Sequence, residues 1–129
     1  MNELFLKAKE SILYSYSPYS NFKVGCAILL KNGKYITGTN IENVSYGLSI
    51  CAERVAIFKA YSEGYNKNDI FEVAIYAETK DYIKPCGACL QVFSELLNKE
   101  TKIYLLNKEL NYKEVAIGDL MPMAFNSLE

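Results

Sequence analysis

Histidine is absent from this chain of 129 residues. That gap removes the HExxH metalloproteases, the Ser-His-Asp triads and the Cys-His nucleophile pairs. Acid–base work must fall to carboxylate, Tyr, Lys, Cys or metal-activated water. Excess charge is missing too: 14 Lys and Arg stand against 15 Asp and Glu, with a pI of about 5.6. A surface so balanced has no electrostatic footprint for a polyanion, and no nucleic-acid partner is expected. No apolar run approaches the ~20 residues of a membrane span, so no membrane partner is expected either. The opening Met1-Asn2-Glu3-Leu4-Phe5-Leu6-Lys7 has neither a basic n-region nor an unbroken apolar core, and no signal peptide is read from it. A cytoplasmic location is therefore expected, where four Cys serve as ligands or core thiols rather than disulfides. With no repeats, linkers or low-complexity segments, the length predicts a single domain over 1–129.

What is present is an alternation of helical and strand-like patterns. Leu4, Phe5, Ala8 and Ile12 recur at helical spacing over 2–16, and Ser17-Pro18-Tyr19-Ser20-Asn21 ends that run. Phe22 to Leu30 reads as a strand, Lys31-Asn32-Gly33-Lys34 as a hairpin turn, and Tyr35 to Thr39 as the returning strand. After a loop from Asn40 to Leu48, a helix is expected from Ser49 or Ile50 to about Glu63, and a third strand over Ile70 to Ala77. Cys86 opens a helix to about Asn98. Ile103 to Leu106 and Tyr112 to Ile117 form the last two strands around Lys108-Glu109, and Gly118 to Phe125 a closing turn or short helix. The order α-β-β-α-β-α-β-β predicts an α/β protein, one five-stranded mixed β-sheet with helices packed on it. The middle helix is apolar nearly all round (Ala52, Val55, Ala56, Ile57, Phe58, Ala60, Tyr61), which predicts burial on all sides and coverage by another subunit.

Two short segments carry the chemistry: Cys51-Ala52-Glu53 and Pro85-Cys86-Gly87-Ala88-Cys89. Three thiolates, Cys51, Cys86 and Cys89, leave a tetrahedral zinc with one open position, the arrangement of a catalytic rather than a structural site. Both segments fall at expected helix N-termini, where the macrodipole favours an anion and lowers a thiol's pKa. Cys86 and Cys89, three apart, share one face of a helical turn. Three thiolates on one Zn²⁺ leave a net negative charge, which Arg54 beside Cys51 is placed to offset by hydrogen-bonding a ligand sulfur. Glu53 taken alone is a first-turn glutamate that favours the helix dipole. Next to a catalytic-type zinc it reads as a proton carrier. Cys26, inside Val24-Gly25-Cys26-Ala27-Ile28, reads as a core thiol rather than a fourth ligand.

These motifs resemble the zinc segments of the small homotetrameric cytidine deaminases, within the cytidine and deoxycytidylate deaminase family. The likeness extends through Tyr16-Ser17-Pro18-Tyr19-Ser20-Asn21-Phe22-Lys23-Val24-Gly25, through Gly38-Thr39-Asn40-Ile41-Glu42-Asn43, and through Leu120-Met121-Pro122-Met123-Ala124-Phe125. It implies the three-layer cytidine deaminase-like fold and a homotetramer with active sites at subunit interfaces. It also implies one Zn²⁺ per subunit on Cys51, Cys86 and Cys89, and a small-molecule nucleoside substrate. The implied reaction is hydrolytic deamination of cytidine and 2′-deoxycytidine in pyrimidine salvage, with zinc-bound hydroxide attacking C4 and Glu53 shuttling protons. Asn40 and Glu42 would hold the ribose hydroxyls, Phe22 would pack on the base, and the backbone of Ala52 and Ser49 would contact it. Phe125 and Tyr46 would complete the pocket from neighbouring subunits. Leu90 departs from the family's usual Arg and continues the apolar stripe of Val92, Phe93, Leu96 and Leu97. Two other readings stay open on residues alone: a blasticidin S deaminase-like aminohydrolase, against which Asn40-x-Glu42 favours an ordinary ribose, and a non-catalytic zinc-stabilised interaction protein, which would need no Glu53.

Overall fold

The computed structural model describes residues 2–128. Among these, α1 spans Glu3–Ser11, β1 Val24–Leu30, β2 Tyr35–Thr39, α2 Ala52–Ser62 and β3 Ile70–Ala77. Then follow α3 Gly87–Leu96, β4 Lys102–Leu106, β5 Tyr112–Ala116 and a short α4 Ile117–Leu120. The five strands form one mixed sheet in the order β2-β1-β3-β4-β5. Only β3 and β4 run parallel, as a crossover through a helix requires. The two hairpins, β1–β2 and β4–β5, are antiparallel.

Alternation along the central strands divides the core into two halves. Cys26, Ile28 and Leu30 of β1, with Val73 and Ile75 of β3, face α2 and α3 and meet Ala56, Ile57, Ala60 and Phe93 there. Ala27, Ala74 and Tyr76 face the other way and meet Leu4, Phe5, Ala8 and Ile12 of the N-terminal helical segment. Helices thus cover both faces, and the expected three layers are present. Ile57 and Phe93 are wholly buried, each contributing about 1.5–3 kcal/mol by removal from water. Phe5, Tyr104 and Tyr112 add a cluster of tilted and edge-on rings 5.1–5.5 Å apart that ties the first helix to the last hairpin.

Two glycines set how closely the layers approach. A Cβ on Gly25 of β1 would stand 2.1 Å from the Ala8 carbonyl oxygen of α1. A Cβ on Gly38 of β2 would stand 2.5 Å from the Ala56 amide nitrogen and 2.7 Å from the Ala52 carbonyl oxygen of α2. Backbone therefore lies on backbone at both places, and Gly38 fixes the height and angle at which α2 leaves the sheet.

The first helix is shorter than its apolar spacing predicts. Regular helix ends at Ser11, whose hydroxyl donates to the Ala8 carbonyl (2.7 Å), and a 3₁₀ turn over Ile12–Tyr14 follows. That turn brings Tyr16 beside Ile41, where the Tyr16 N–H donates to the Asn40 carbonyl and the Glu42 N–H to the Tyr16 carbonyl. Helix α2 begins at Ala52 rather than Ser49 or Ile50, because Ile50 exchanges backbone hydrogen bonds with Ile41. Its expected all-round burial is partial: Ala52, Glu53, Ala56, Ile57 and Ala60 are buried, while Phe58 is 43% exposed. No helix among the described residues is long and apolar enough to cross a membrane.

Because backbone cannot yield to a new methyl group, Gly38→Ala is expected to lower unfolding free energy by about 1–3 kcal/mol or more. Gly47, with nothing within 4 Å of its added Cβ, provides the control, and Gly47→Ala should stay close to the parent. Urea unfolding of the two variants side by side decides it; equal midpoints would show that α2 is free to shift.

Candidate active site

Strands β2 and β3 end, and β1 begins, at the same end of the sheet, since β1 is antiparallel to both neighbours. The chain segments leaving and entering that end build a cleft of about 320 Å³. The N-terminus of α2 and the segment leading into α3 form its floor.

Cys51 and Cys86 are the N-cap residues of α2 and α3. The Cys86 sulfur accepts the Cys89 backbone N–H at 3.4 Å, while the Cys51 sulfur makes no cap bond and is free to turn toward the other two. The Cys51 and Cys86 sulfurs lie 3.8 Å apart, and those of Cys86 and Cys89 3.3 Å apart. All three fall within 4.8 Å of one another, and Cys26 stands outside the group, buried in the core. Three sulfurs held about 2.3 Å from one tetrahedral ion stand about 3.8 Å apart, so the spacing suits zinc.

Electrostatics argue the same way. The hydrogen bond from the Cys89 thiol draws Cys51 down to about 5 against the desolvation that opposes it, with the Arg54 guanidinium assisting. Cys89 moves oppositely: giving its hydrogen to Cys51, and buried beside Glu53, it is held well above the ordinary thiol range. Thiols this close cannot all ionise unaided, whereas a divalent cation between them lets every one bind as thiolate. Arg54 Nη2 donates to the Cys51 sulfur at 3.5 Å, and its buried Nε finds no partner among the described residues. The donor set therefore fits a zinc ion, with a cation placed against its thiolates.

Glu53, one residue into α2 from Ala52, is only 4% exposed. Burial raises its carboxyl to about 7, and the negative charge of Cys51 adds to that. A carboxyl poised near neutrality can both accept and return a proton.

At the other end of the cleft Asn40 and Glu42 are fixed by backbone partners. Asn40 Oδ1 accepts from the Val24 N–H (3.0 Å) and the Ser15 hydroxyl (2.6 Å), and Nδ2 donates to the Phe22 carbonyl (2.7 Å). A backbone N–H can only donate and a carbonyl only accept, so the amide has one orientation and one N–H left to offer. Glu42 is buried, and its Oε1 accepts from the N–H groups of Tyr19 and Ser20, both at 3.1 Å. The Ser20 hydroxyl, followed by those backbone N–H groups, holds the Glu42 carboxyl below its usual range, burial opposing.

The cleft lining thus brings together Phe22, Asn40, Glu42, Tyr46, Cys51, Ala52, Glu53 and Cys86. Cys89 lies behind it, buried. Tyr46, carried by a 3₁₀ turn over Tyr46–Leu48, borders the cleft of its own chain as well. Phe125 does not line it. That ring is 68% exposed, and its carbonyl accepts from Gln91 Nε2 at 2.5 Å. Ile83, Lys84 and Ser20 also line the cleft without having been singled out in the sequence. Ser20 carries no periodicity or spacing signal and stands out only as part of a turn.

The family model for the cytidine and deoxycytidylate deaminase zinc-binding region matches residues 1–105. A cytidine deaminase of Halalkalibacterium halodurans is 50% identical over 113 residues, covering 88% of this chain and 84% of that protein. One from Sporosarcina psychrophila is 38% identical over 126 residues, covering 98% and 91%. The crystal structure of cytidine deaminase from Burkholderia pseudomallei superimposes with a TM-score of 0.92 at 42% identity, covering 97% of this chain and all of that one.

If the three thiols act together, Cys51→Ala, Cys86→Ala and Cys89→Ala should each lower bound zinc from about one per chain to a small fraction of that. Cys26→Ala should retain the full amount. Metal analysis after gel filtration measures both, and full zinc in any of the first three would remove that residue from the ligand set.

Proposed function

The chain belongs to the cytidine and deoxycytidylate deaminase family, and on that premise we propose that it hydrolyses cytidine and 2′-deoxycytidine to uridine and 2′-deoxyuridine plus ammonia. The observation that carries this is the division of one cleft: three thiols and a near-neutral carboxyl at one end, a locked amide and carboxylate at the other.

Cys51, Cys86 and Cys89 would hold zinc, which when bound supplies Lewis acidity and acidifies water at neutral pH. The remaining work falls to side chains of this protein. Asn40 offers its free N–H, and Glu42 its acceptor oxygens, to the hydroxyls of a ribose. Phe22, 43% exposed on the cleft wall, offers a face to the pyrimidine, with Tyr46 beside it and the backbone of Ala52 below. This orients C4 and the exocyclic amine toward Glu53. The Glu53 carboxylate takes a proton from the attacking water and gives it to ring N3 as the C4–O bond forms. It then takes the second proton of that oxygen and gives it to the amine, which leaves as ammonia as the C4–N bond breaks and the C4 carbonyl forms. Its pKa near 7 suits both directions of transfer.

We further propose that residues 1–129 act as one catalytic domain, a cytoplasmic homotetramer serving pyrimidine salvage, with active sites at subunit interfaces. The single domain is supported by the ring cluster joining α1 to the final hairpin. Assembly is supported by apolar side chains left in water, among them Tyr14, Val44 and Leu48 at 75–81% exposed, and by Phe125 standing away from its own cleft. The reducing compartment is supported by thiols that must stay free to bind metal.

Loss of cytidine's ultraviolet absorbance with release of ammonia, abolished by a zinc chelator, tests the reaction directly. Glu53→Gln should keep zinc and oligomeric state but lose turnover by about 10³-fold or more. Turnover near the parent's would show that Glu53 moves no proton.

A further inference from the structure

We infer that Ser20 is a positioning residue that couples the sugar end of the cleft to the base end. This rests on the reading of Glu42 as a ribose contact. Three hydrogen bonds meet at this one residue. Its N–H donates to Glu42 Oε1 at 3.1 Å, its hydroxyl donates to Glu42 Oε2, and the same hydroxyl oxygen accepts the Phe22 N–H at 3.0 Å. The direction of each is fixed by elementary chemistry. An ionised carboxylate only accepts and a backbone N–H only donates, so the single Ser20 proton must point at Glu42 and its lone pair at Phe22.

The consequence for Glu42 is a count of acceptor sites. A carboxylate offers about four. Tyr19 and Ser20 N–H groups use two on Oε1, and the Ser20 hydroxyl uses one on Oε2. What remains for a ligand is one acceptor position on Oε2, pre-aimed because the group is buried and held at both oxygens. The consequence for Phe22 is a tethered backbone on the strand approach, with its carbonyl also held by Asn40. Between the two, Asn21 sits at φ 56°, a left-handed conformation that Asn tolerates and that lets the chain return within two residues. The hydroxyl of Ser20 thus bonds both to Glu42, a residue for the sugar, and to Phe22, the residue for the base. Neither Glu53 nor any of the three thiols touches it, so its removal should weaken binding and leave the chemical step alone.

The test compares Ser20→Ala and Ser20→Thr with the parent, each also in a Glu42→Ala background, using steady-state deamination of cytidine with zinc content and melting temperature followed throughout. Ser20→Ala is expected to raise KM about tenfold with kcat within about threefold, and Ser20→Thr, which restores the hydroxyl, to return KM to within about threefold of the parent. Once Glu42 is Ala, adding Ser20→Ala should change KM by less than about twofold, because the bond it removes has already lost its acceptor. An equal rise in KM in both backgrounds, a fall in kcat at constant KM, failure of Thr to rescue, or loss of folding in Ser20→Ala would each overturn the positioning role. If Glu42→Ala alone leaves KM for cytidine unchanged, the ribose reading fails and takes this inference with it; if it raises KM and the Ser20 outcomes disagree, only the inference fails.

Discussion

Three sulfur atoms within 4.8 Å of one another, backed by a carboxyl that is 4% exposed, form a cluster that bare protein cannot ionise. One thiol is drawn down to about 5, first by the hydrogen bond from a neighbour that keeps its proton and then by Arg54, and the carboxyl is driven up to about 7 by burial and by that first negative charge. Every unfavourable shift has the same remedy, a divalent cation at the centre. The rest of the molecule can be understood as the scaffold that makes such a concentration of anions possible. Two helices end there, and the partial positive charge of each N-terminus is directed at the sulfurs.

Those helix ends stay in place because of contacts far less conspicuous than the cysteines. Helix α2 lies on β2 with no side chain between them at Gly38, so its N-terminus has one height above the sheet. On the opposite face Gly25 does the same for α1, which continues into the 3₁₀ turn and the segment that bonds to Asn40 and Glu42. Asn40 and Glu42 on one side and the thiol cluster on the other are therefore referenced to the same strands, β1 and β2, from opposite faces. The segment from Asn40 to Glu42 is bonded through its backbone to Tyr16 on one side and Ile50 on the other, and Ile50 immediately precedes Cys51. A displacement of either end of the cleft would break main-chain hydrogen bonds at the other.

What could be seen in the sequence was whatever depends on local chemistry. Period-two and period-3.6 patterns located each strand and each long helix, and the pairs Cys51/Glu53 and Cys86/Cys89 announced themselves because few other arrangements use those residue types at those spacings. Two features escaped because they are settled by partners distant in the chain. The N-terminal helix keeps its apolar period past Ser11, yet pairing of Tyr16 with Ile41 ends it sooner. Ser20 was one polar turn residue among several, and its place at the carboxylate depends on Glu42, 22 residues away. The apolar character of α2 predicts complete burial, yet Phe58 is 43% exposed in the single chain.

The absence of histidine also sets the charge at the thiol cluster. A neutral imidazole among the ligands would leave the metal more positive, whereas three thiolates overcompensate a dication and blunt its pull on bound water. Positive charge must come from elsewhere, and its sources here can be named. Leu90 supplies none: it is half-buried and packed on the α2–α3 side of the core, so a charge there would be desolvated. Lys84, on the cleft wall, is bonded to Asp81 at 3.0 Å, and both side chains are more than two-thirds exposed, so solvent screens it. That leaves the two helix N-termini and Arg54, whose Nη2 lies on the Cys51 sulfur and whose buried Nε has no other partner among the described residues. A guanidinium cannot surrender its proton in this range, and a planar donor fork can serve more than one sulfur. In a chain without imidazole, the Arg54 guanidinium on the Cys51 sulfur is a fixed positive charge set directly against the three thiols.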